Sequence, residues 1–453
     1  MNLADIKKLY FIGIGGIGMS ALARYFHAKG VEVKGYDRTE TALTQQLKKE
    51  GIDISFVDES SAVDTNVDVV VYTPAIPKDN KIWLGYQATN IPLLKRSEML
   101  QAVTDALTTI AVAGSHGKTT TSTMIAYLLK EAGAGCNAFL GGISANFQTN
   151  FWSSDNPIAV VEADEYDRSF LKLNPAIAVL TSMDADHLDI YGTEEACQDA
   201  FIGFTQKIKP EGALVVKHGL KRMQEMGGSK KISYSLQQNA AQAYASNILL
   251  KDGSYIFDII HSDWILQGVH LNMGGMHNVE NCVAAVTVAK LLDLDDNAIK
   301  AAVASFKGVK RRFEYVLKNE KIIFIDDYAH HPEELKSLLK SVKTLFSKRR
   351  LVVAFQPHLY SRTRDFAQGF ADALDMADEV ILLDIYPARE LPIEGVQSQM
   401  IADRMGNPNV TILSKEGLLS YAAAAPLDLL VTAGAGDIDK LVPELKTILE
   451  KKG

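Results

Sequence analysis

Short apolar runs alternate with helix-length amphipathic segments along the whole chain, and this alternation restricts the fold more than any other feature. An apolar run of only strand length has to be covered on both faces, and the amphipathic segments between runs supply the covering helices. The pattern predicts α/β units with mainly parallel sheets flanked by helices. It starts afresh three times: at Lys8-Leu9-Tyr10-Phe11-Ile12, at Thr108-Thr109-Ile110-Ala111-Val112 and at Lys321-Ile322-Ile323-Phe324-Ile325. Each start leads into a glycine-rich or polar loop. We expect three domains over residues 1–106, 107–313 and 314–453: Rossmann-like, P-loop ATPase-like and Rossmann-like in turn. A chain of 453 residues accommodates this, since domains run to roughly 100–200 residues.

Net charge is −8, which argues against a nucleic-acid partner. Any anionic ligand must be held by local basic side chains and backbone amides. Cys136, Cys197 and Cys282 lie far apart without a zinc spacing, so they read as structural thiols of a reducing compartment. No signal-peptide pattern and no membrane-length apolar run is present in the sequence. We expect a cytoplasmic protein without a membrane partner; the sequence leaves monomer and homodimer equally open.

The first strand runs into Gly13-Ile14-Gly15-Gly16-Ile17-Gly18. Gly13, Gly15 and Gly18 fit the GxGxxG spacing that lets a phosphate approach a helix N-terminus. Asp37 ends the following strand, about where a ribose-binding carboxylate is expected. This fingerprint does not distinguish a dinucleotide from a UDP-sugar. Thr73, after the strand Val67 to Tyr72, and Arg96 are further candidates on this domain.

The second loop is Gly114-Ser115-His116-Gly117-Lys118-Thr119-Thr120. It is a shortened phosphate loop: Val112 stands where the general pattern has glycine. Backbone N–H groups would cradle phosphates, Lys118 would reach the terminal ones, and the Thr119 hydroxyl suits Mg²⁺. Glu162 and His187 fall after later strands, at the sheet edge that parallel strands share with this loop. Glu162 is placed to hold Mg²⁺ and His187 could ligate a second ion. Asn278 reads as a helix N-cap, and Asn281, one turn on, could bind adenine. Arg311 and Arg312 join the second and third domains. Arg362 and Arg364 follow another strand and suit carboxylate or phosphate recognition.

Six segments together resemble the Mur ligase family. They are Gly-Ser-His-Gly-Lys-Thr-Thr-Thr at 114–121, Glu-Ala-Asp-Glu at 162–165, Asp-Ala-Asp-His at 184–187, His-Asn-Val-Glu-Asn at 277–281, Arg-Arg-Phe-Glu at 311–314 and Asp-Asp-Tyr-Ala-His-His-Pro at 326–332. The opening Gly-Ile-Gly-Gly-Ile-Gly-Met-Ser and the Phe-Gln-Pro-His segment at 355–358 point to the members that attach L-alanine to the lactyl carboxylate of UDP-N-acetylmuramate. The resemblance implies that the three domains bind the UDP-sugar, ATP and the amino acid, and that closure assembles the site. It implies that Gly114, Ser115, His116, Gly117, Lys118, Thr119, Thr120, Asn281 and Arg312 bind ATP. It assigns Mg²⁺, as two ions, to Thr119, Glu162 and His187. Gly13, Gly15, Gly16, Ile17, Gly18, Asp37, Thr73 and His116 would meet the UDP-sugar. Tyr328, His330, Arg362 and Arg364 would surround the amino acid. Lys118, His116 and His330 would be catalytic, with His330 or Glu165 as the base for the amine.

Two departures stand out. Leu359 occupies a position where many relatives have arginine, so Arg364 becomes the candidate replacement. The first lysine after His187 is Lys207, too far along for the carbamylated lysine of some relatives. Three other readings remain: a recycling ligase that attaches a tripeptide to the same sugar, a nicotinamide-dependent oxidoreductase, and a non-catalytic UDP-sugar sensor. The oxidoreductase leaves the second loop unexplained, and substrate-dependent ADP formation would exclude the sensor.

Overall fold

The computed structural model describes residues 2–185, 188–388 and 390–452. The chain forms two compact units. The first comprises Met1–Ser246, Asp258–Val269 and Glu280–Val303. The second comprises Asn247–Phe257, His270–Val279 and Ala304–Gly453.

The first unit opens with β1 (Lys8–Ile12), β2 (Glu32–Tyr36), β3 (Asp53–Ser55), β4 (Val69–Tyr72) and β5 (Leu93–Lys95). They form a parallel sheet in the order β3-β2-β1-β4-β5. The chain leaves β1 to one side for β2 and returns on the other as β4. The C-terminal end of β1 is therefore a topological switch point, where open α/β sheets bind ligands.

A second sheet follows: β6 (Thr108–Ala113), β7 (Asn137–Ser144), β8 (Thr149–Trp152), β9 (Ile158–Glu162), β10 (Ile177–Leu180), β11 (Ala213–Lys217) and β12 (Lys230–Ser235). Their order is β12-β11-β10-β6-β9-β7-β8, with β6 between β9 and β10. Only the β7–β8 hairpin in this stretch is antiparallel. Strands β13 (Ala243–Lys251), β14 (Ser254–His261) and β15 (Ile265–Leu271) extend the sheet beyond β12 to ten strands.

Within the first unit, one apolar core serves both sheets, running from Leu9, Phe11 and Val71 to Ala111, Val161 and Leu180. The helix Ile17–Ala28, which follows the first glycine loop, lies against the β7–β8 hairpin. Tyr25 contacts Phe139 and Phe151 at ring separations of 5.4 and 6.1 Å. Beside these rings, buried Arg24 makes a two-pronged ion pair with Glu50 at 2.7 and 2.8 Å and donates to Asn150. The Asn150 amide in turn donates to Ser20 Oγ (3.0 Å) and to the Ile17 carbonyl (2.5 Å). A buried guanidinium with a carboxylate and an amide is satisfied only when both elements are in place, so the network fixes the helix on the hairpin.

The second unit carries β16 (Glu314–Lys318), β17 (Ile323–Asp327), β18 (Leu351–Phe355), β19 (Glu379–Leu382), β20 (Val410–Ile412) and β21 (Leu429–Ala433). Their order is β16-β17-β21-β18-β19-β20, parallel except for β16. The third domain was expected to start its strands at Lys321, but an antiparallel edge strand, β16, precedes them. Among the described residues, no helix is long and apolar enough to cross a membrane.

Candidate active site

Strand β6 ends at Ala113, and the phosphate loop turns into the helix Lys118–Glu131. Gly114 and Gly117 adopt φ of +136° and +81°, conformations that side chains resist. A Cβ on Gly114 would press on Thr181 Oγ1 and come within 2.7 Å of the Ser182 nitrogen. The end of β10 is thus folded against the loop. Ser182 Oγ accepts from the His116 nitrogen at 2.8 Å, Thr181 Oγ1 donates to the Ala113 carbonyl at 3.1 Å, and Ser115 Oγ donates to the Asp184 carbonyl at 2.6 Å. Sequence reasoning missed Thr181 and Ser182; their position directly after a strand parallel to β6 was the available signal.

Register delivers the acid. Glu162 pairs with Val112 at the end of β9, so its side chain emerges level with the loop. Thr119 Oγ1 donates to Glu162 Oε1 at 3.0 Å, and Glu162 Oε2 accepts from the Gly141 nitrogen at 3.1 Å. A hydroxyl and a carboxylate converging at the start of the helix form a hard oxygen donor pair of the kind Mg²⁺ takes. Gly141 was also missed: a Cβ there would run into the Glu162 carboxylate. His187 lies outside the described residues. His116 is exposed, with Nε2 3.8 Å from Asp184 Oδ2. The Asn281 amide oxygen would sit 3.0 Å from a Cβ on Gly117, which places Asn281 beside the phosphate loop. Asn278 is not the N-cap: the helix Met276–Leu291 begins two residues earlier, and the buried Asn278 amide donates back to the Gly274 carbonyl at 2.7 Å. Gly275, with φ of +87°, makes the turn that lets the helix start early.

Lys118 is turned inward. Its ammonium donates to the Gly114 carbonyl at 2.7 Å and meets Glu165 Oε1 and Oε2 at 2.9 and 2.8 Å. Glu165 is buried, with 1% of its surface exposed.

In the first loop, the Gly15 nitrogen donates to Asp37 Oδ2 at 2.7 Å. Gly13 has φ of +84°, and a Cβ there would lie 2.6 Å from the Thr73 methyl. Gly16 is the residue before the helix Ile17–Ala28, and Gly18 lies under the Arg96 guanidinium. Gly13, Gly15, Gly18, Asp37 and Thr73 are therefore together at the switch point, with Arg96.

In the second unit, Asp327 accepts from the Phe313 and Ala329 nitrogens at 2.7 and 2.8 Å, which holds Arg311–Phe313 against the end of β17. Both arginines lie over the Tyr328 ring, Arg311 at 4.9 Å and Arg312 at 5.7 Å. Arg311 is the one engaged in the fold, with Asp326 at 3.7 Å and Asp439 at 3.3 Å. Burial pushes the Asp326 carboxyl up to about 7. Tyr328 and His330 meet ring to ring at 5.1 Å, and His330 approaches His358 at 6.1 Å. His358 stacks on Tyr386 at 5.9 Å, with Arg362 Nη1 3.4 Å from its Nδ1. Burial holds both imidazoles below their usual range; Arg362 adds to the effect at His358. Tyr328, His330 and Arg362 thus form one cluster, to which His358 and Tyr386 belong although they were not among the expected residues. Arg364 is not part of it. Two positions along the helix Tyr360–Leu374 turn it about 200° away from Arg362; it is half-exposed and bonds Asp365 at 2.7 Å.

Three family profiles match in succession: "Mur ligase family, catalytic domain" over residues 8–107, "Mur ligase middle domain" over 112–289 and "Mur ligase, glutamate ligase domain" over 311–436. The chain is 45% identical to a UDP-N-acetylmuramate–L-alanine ligase of Flavobacterium johnsoniae, covering all of both chains. It is 47% identical to one of Porphyromonas gingivalis, over 98% of this chain and 99% of that one. A solved UDP-N-acetylmuramate–alanine ligase from Thermotoga maritima superposes with a TM-score of 0.83 at 26% identity, over 98% of this chain and all of that one. A phosphate loop beside a paired hydroxyl and carboxylate, and these full-length matches, lead to one conclusion: the chain belongs to the Mur ligase family.

Proposed function

We propose that this protein joins L-alanine to the lactyl carboxylate of UDP-N-acetylmuramate at the expense of ATP, giving ADP, phosphate and UDP-N-acetylmuramoyl-L-alanine. The observation that carries this reading is the Lys118 loop with Thr119 bonded to Glu162 at its edge. A carboxylate does not condense with an amine at neutral pH, because oxide is a poor leaving group. Transfer of the γ-phosphoryl group to the carboxylate gives an acyl phosphate, the amine of alanine attacks it, and phosphate departs.

The chain's part is positioning and charge neutralisation. Gly114, Ser115, His116, Gly117 and Thr120 cradle the phosphates through the backbone, and Lys118 neutralises the terminal ones. Asn281 and Arg312 contact the nucleotide. Thr119 and Glu162 would hold Mg²⁺ and His187 would take a second ion, which would supply charge neutralisation for phosphoryl transfer. The first glycine loop, with Asp37 and Thr73, holds the UDP-sugar, and His116 meets its lactyl end. Tyr328, His330 and Arg362 receive alanine. A half-buried imidazole whose neutral form is favoured suits His330 to take the amine's proton. The three sheets divide the substrates: UDP-sugar with residues 1–106, ATP with 107–313 and alanine with 314–453. For a chain whose three cysteines are buried thiols, the cytoplasm is the fitting compartment.

Phosphate release with UDP-N-acetylmuramate and each amine in turn tests the reading. L-alanine should support turnover and a tripeptide should not; turnover with the tripeptide alone would make this a recycling ligase. Lys118→Ala should cut turnover by more than ~10-fold (about 1.4 kcal/mol of barrier) while UDP-sugar binding persists.

A further inference from the structure

A phosphate-loop lysine does its work at the far side of the loop, where phosphates lie. Lys118 instead folds back: the Gly114 carbonyl holds it on one side, and both oxygens of Glu165 straddle the same nitrogen within 2.9 Å on the other. The lysine side chain is 13% exposed and the glutamate side chain 1%. Glu165 has no room to go elsewhere. It follows β9 by three residues, its carbonyl accepts from Tyr191 Oη at 2.6 Å and from the Arg168 nitrogen at 3.0 Å, and among the described residues its Oε2 has no hydrogen-bond partner, only the ion-pair approach of Lys118. The two partners are fixed by different strands of one sheet, β6 and β9, which pair in register. A rigid buried carboxylate thereby sets where the ammonium can be.

Burial this deep also bears on which group deprotonates the amine. A base must reach the proton it takes directly or through one water. Glu165 spends both oxygens on Lys118, inside the fold, whereas His330 belongs to the alanine cluster.

We propose that Glu165 is the positioning residue of the phosphate-loop lysine, and that it acts on acyl-phosphate formation through Lys118 and not as the base for the amine. This rests on the ligase reading above. Without ATP, Glu165 keeps the ammonium from collapsing into an arbitrary pairing. With ATP, it stays as the fixed counter-charge against which the ammonium is drawn toward the phosphates, so the ammonium meets the transferring group in one place.

The test separates the two half-reactions. Full-length enzyme is given ATP, Mg²⁺ and UDP-N-acetylmuramate without alanine, and the acyl phosphate is trapped as a hydroxamate with hydroxylamine. Wild-type enzyme should form the hydroxamate; if it does not, the ligase reading fails and not this inference. Glu165→Gln should lower hydroxamate formation and complete turnover by the same factor, about 30-fold, with the apparent KM for ATP changed by less than about threefold, because the lost interaction belongs to the transition state. Hydroxamate formation at the wild-type rate with amide formation lost would make Glu165 the base and overturn the proposal. A double-mutant cycle guards against a fold defect. On a Lys118→Ala background, Glu165→Gln should have almost no further effect, since coupled residues are non-additive. An additional 30-fold loss there would mean that Glu165 acts independently of the lysine, and would overturn it as well.

Discussion

Single side chains decide the chemistry here because each is fixed by a neighbour of opposite kind. Thr119 and Glu162 already share a hydrogen bond, so the Mg²⁺ proposed between them would replace that bond. Thr119→Ala should raise the Mg²⁺ needed for half-maximal turnover about tenfold, roughly 1.4 kcal/mol, with Glu162 left in place. A Mg²⁺ titration checks this, and an unchanged requirement would remove Thr119 from the metal site. His330 makes a pH statement. Burial favours its neutral form, so its folded value lies below the unfolded 6.5. Its contribution to stability is complete above pH 6.5 and is lost as pH falls through the folded value. Unfolding temperatures should decline on the acid side of about pH 6.5, and His330→Gln should flatten part of that decline. Most of these residues were legible, because each follows an apolar run and strand ends are where a parallel sheet presents its polar groups. Arg364 was expected beside Arg362, but strand-end reasoning does not carry into a helix, where two positions reverse the face and place it apart from the cluster.

At the scale of elements, the loop at 114–117 depends on the strand next to it. Gly114 has a backbone conformation that strains other residues, and Thr181 and Ser182, directly after β10, leave no space for a Cβ. Gly114→Ala should cost about 1–3 kcal/mol of stability and reduce ATP turnover more than it reduces UDP-sugar binding. Thermal unfolding alongside nucleotide binding distinguishes this from a general fold defect, in which both ligands would be lost together. Strands buried on both faces, such as β6, β10 and β18, were easy to foresee, since nothing but continuous apolar sequence fits them. Strand β16 was not. Glu314, Tyr315, Val316 and Leu317 are all half-buried on an edge, and an edge strand needs no apolar run. The start of the helix Met276–Leu291 was placed late because Asn278 looked like a cap, while Gly275 does the turning.

For the whole molecule, contacts divide the chain differently from its sheets. New sheets begin at Lys8, Thr108 and Glu314, yet the first two share one compact unit. No pattern in the sequence announces this, because the joint depends on side chains distant along the chain: Arg24 with Asn150, Tyr25 with Phe139 and Phe151. Each of those residues, read locally, belongs to an ordinary helix or strand. The consequence reaches beyond folding. On the proposed assignment of the first glycine loop to the UDP-sugar and the second to ATP, the helix Ile17–Ala28, pinned to the β7–β8 hairpin of the second sheet, would hold the two loops at one separation. A bisubstrate compound bridging a UDP mimic and a triphosphate mimic could then be cut to a single tether length, its second half binding at high local concentration without any hinge to wait for.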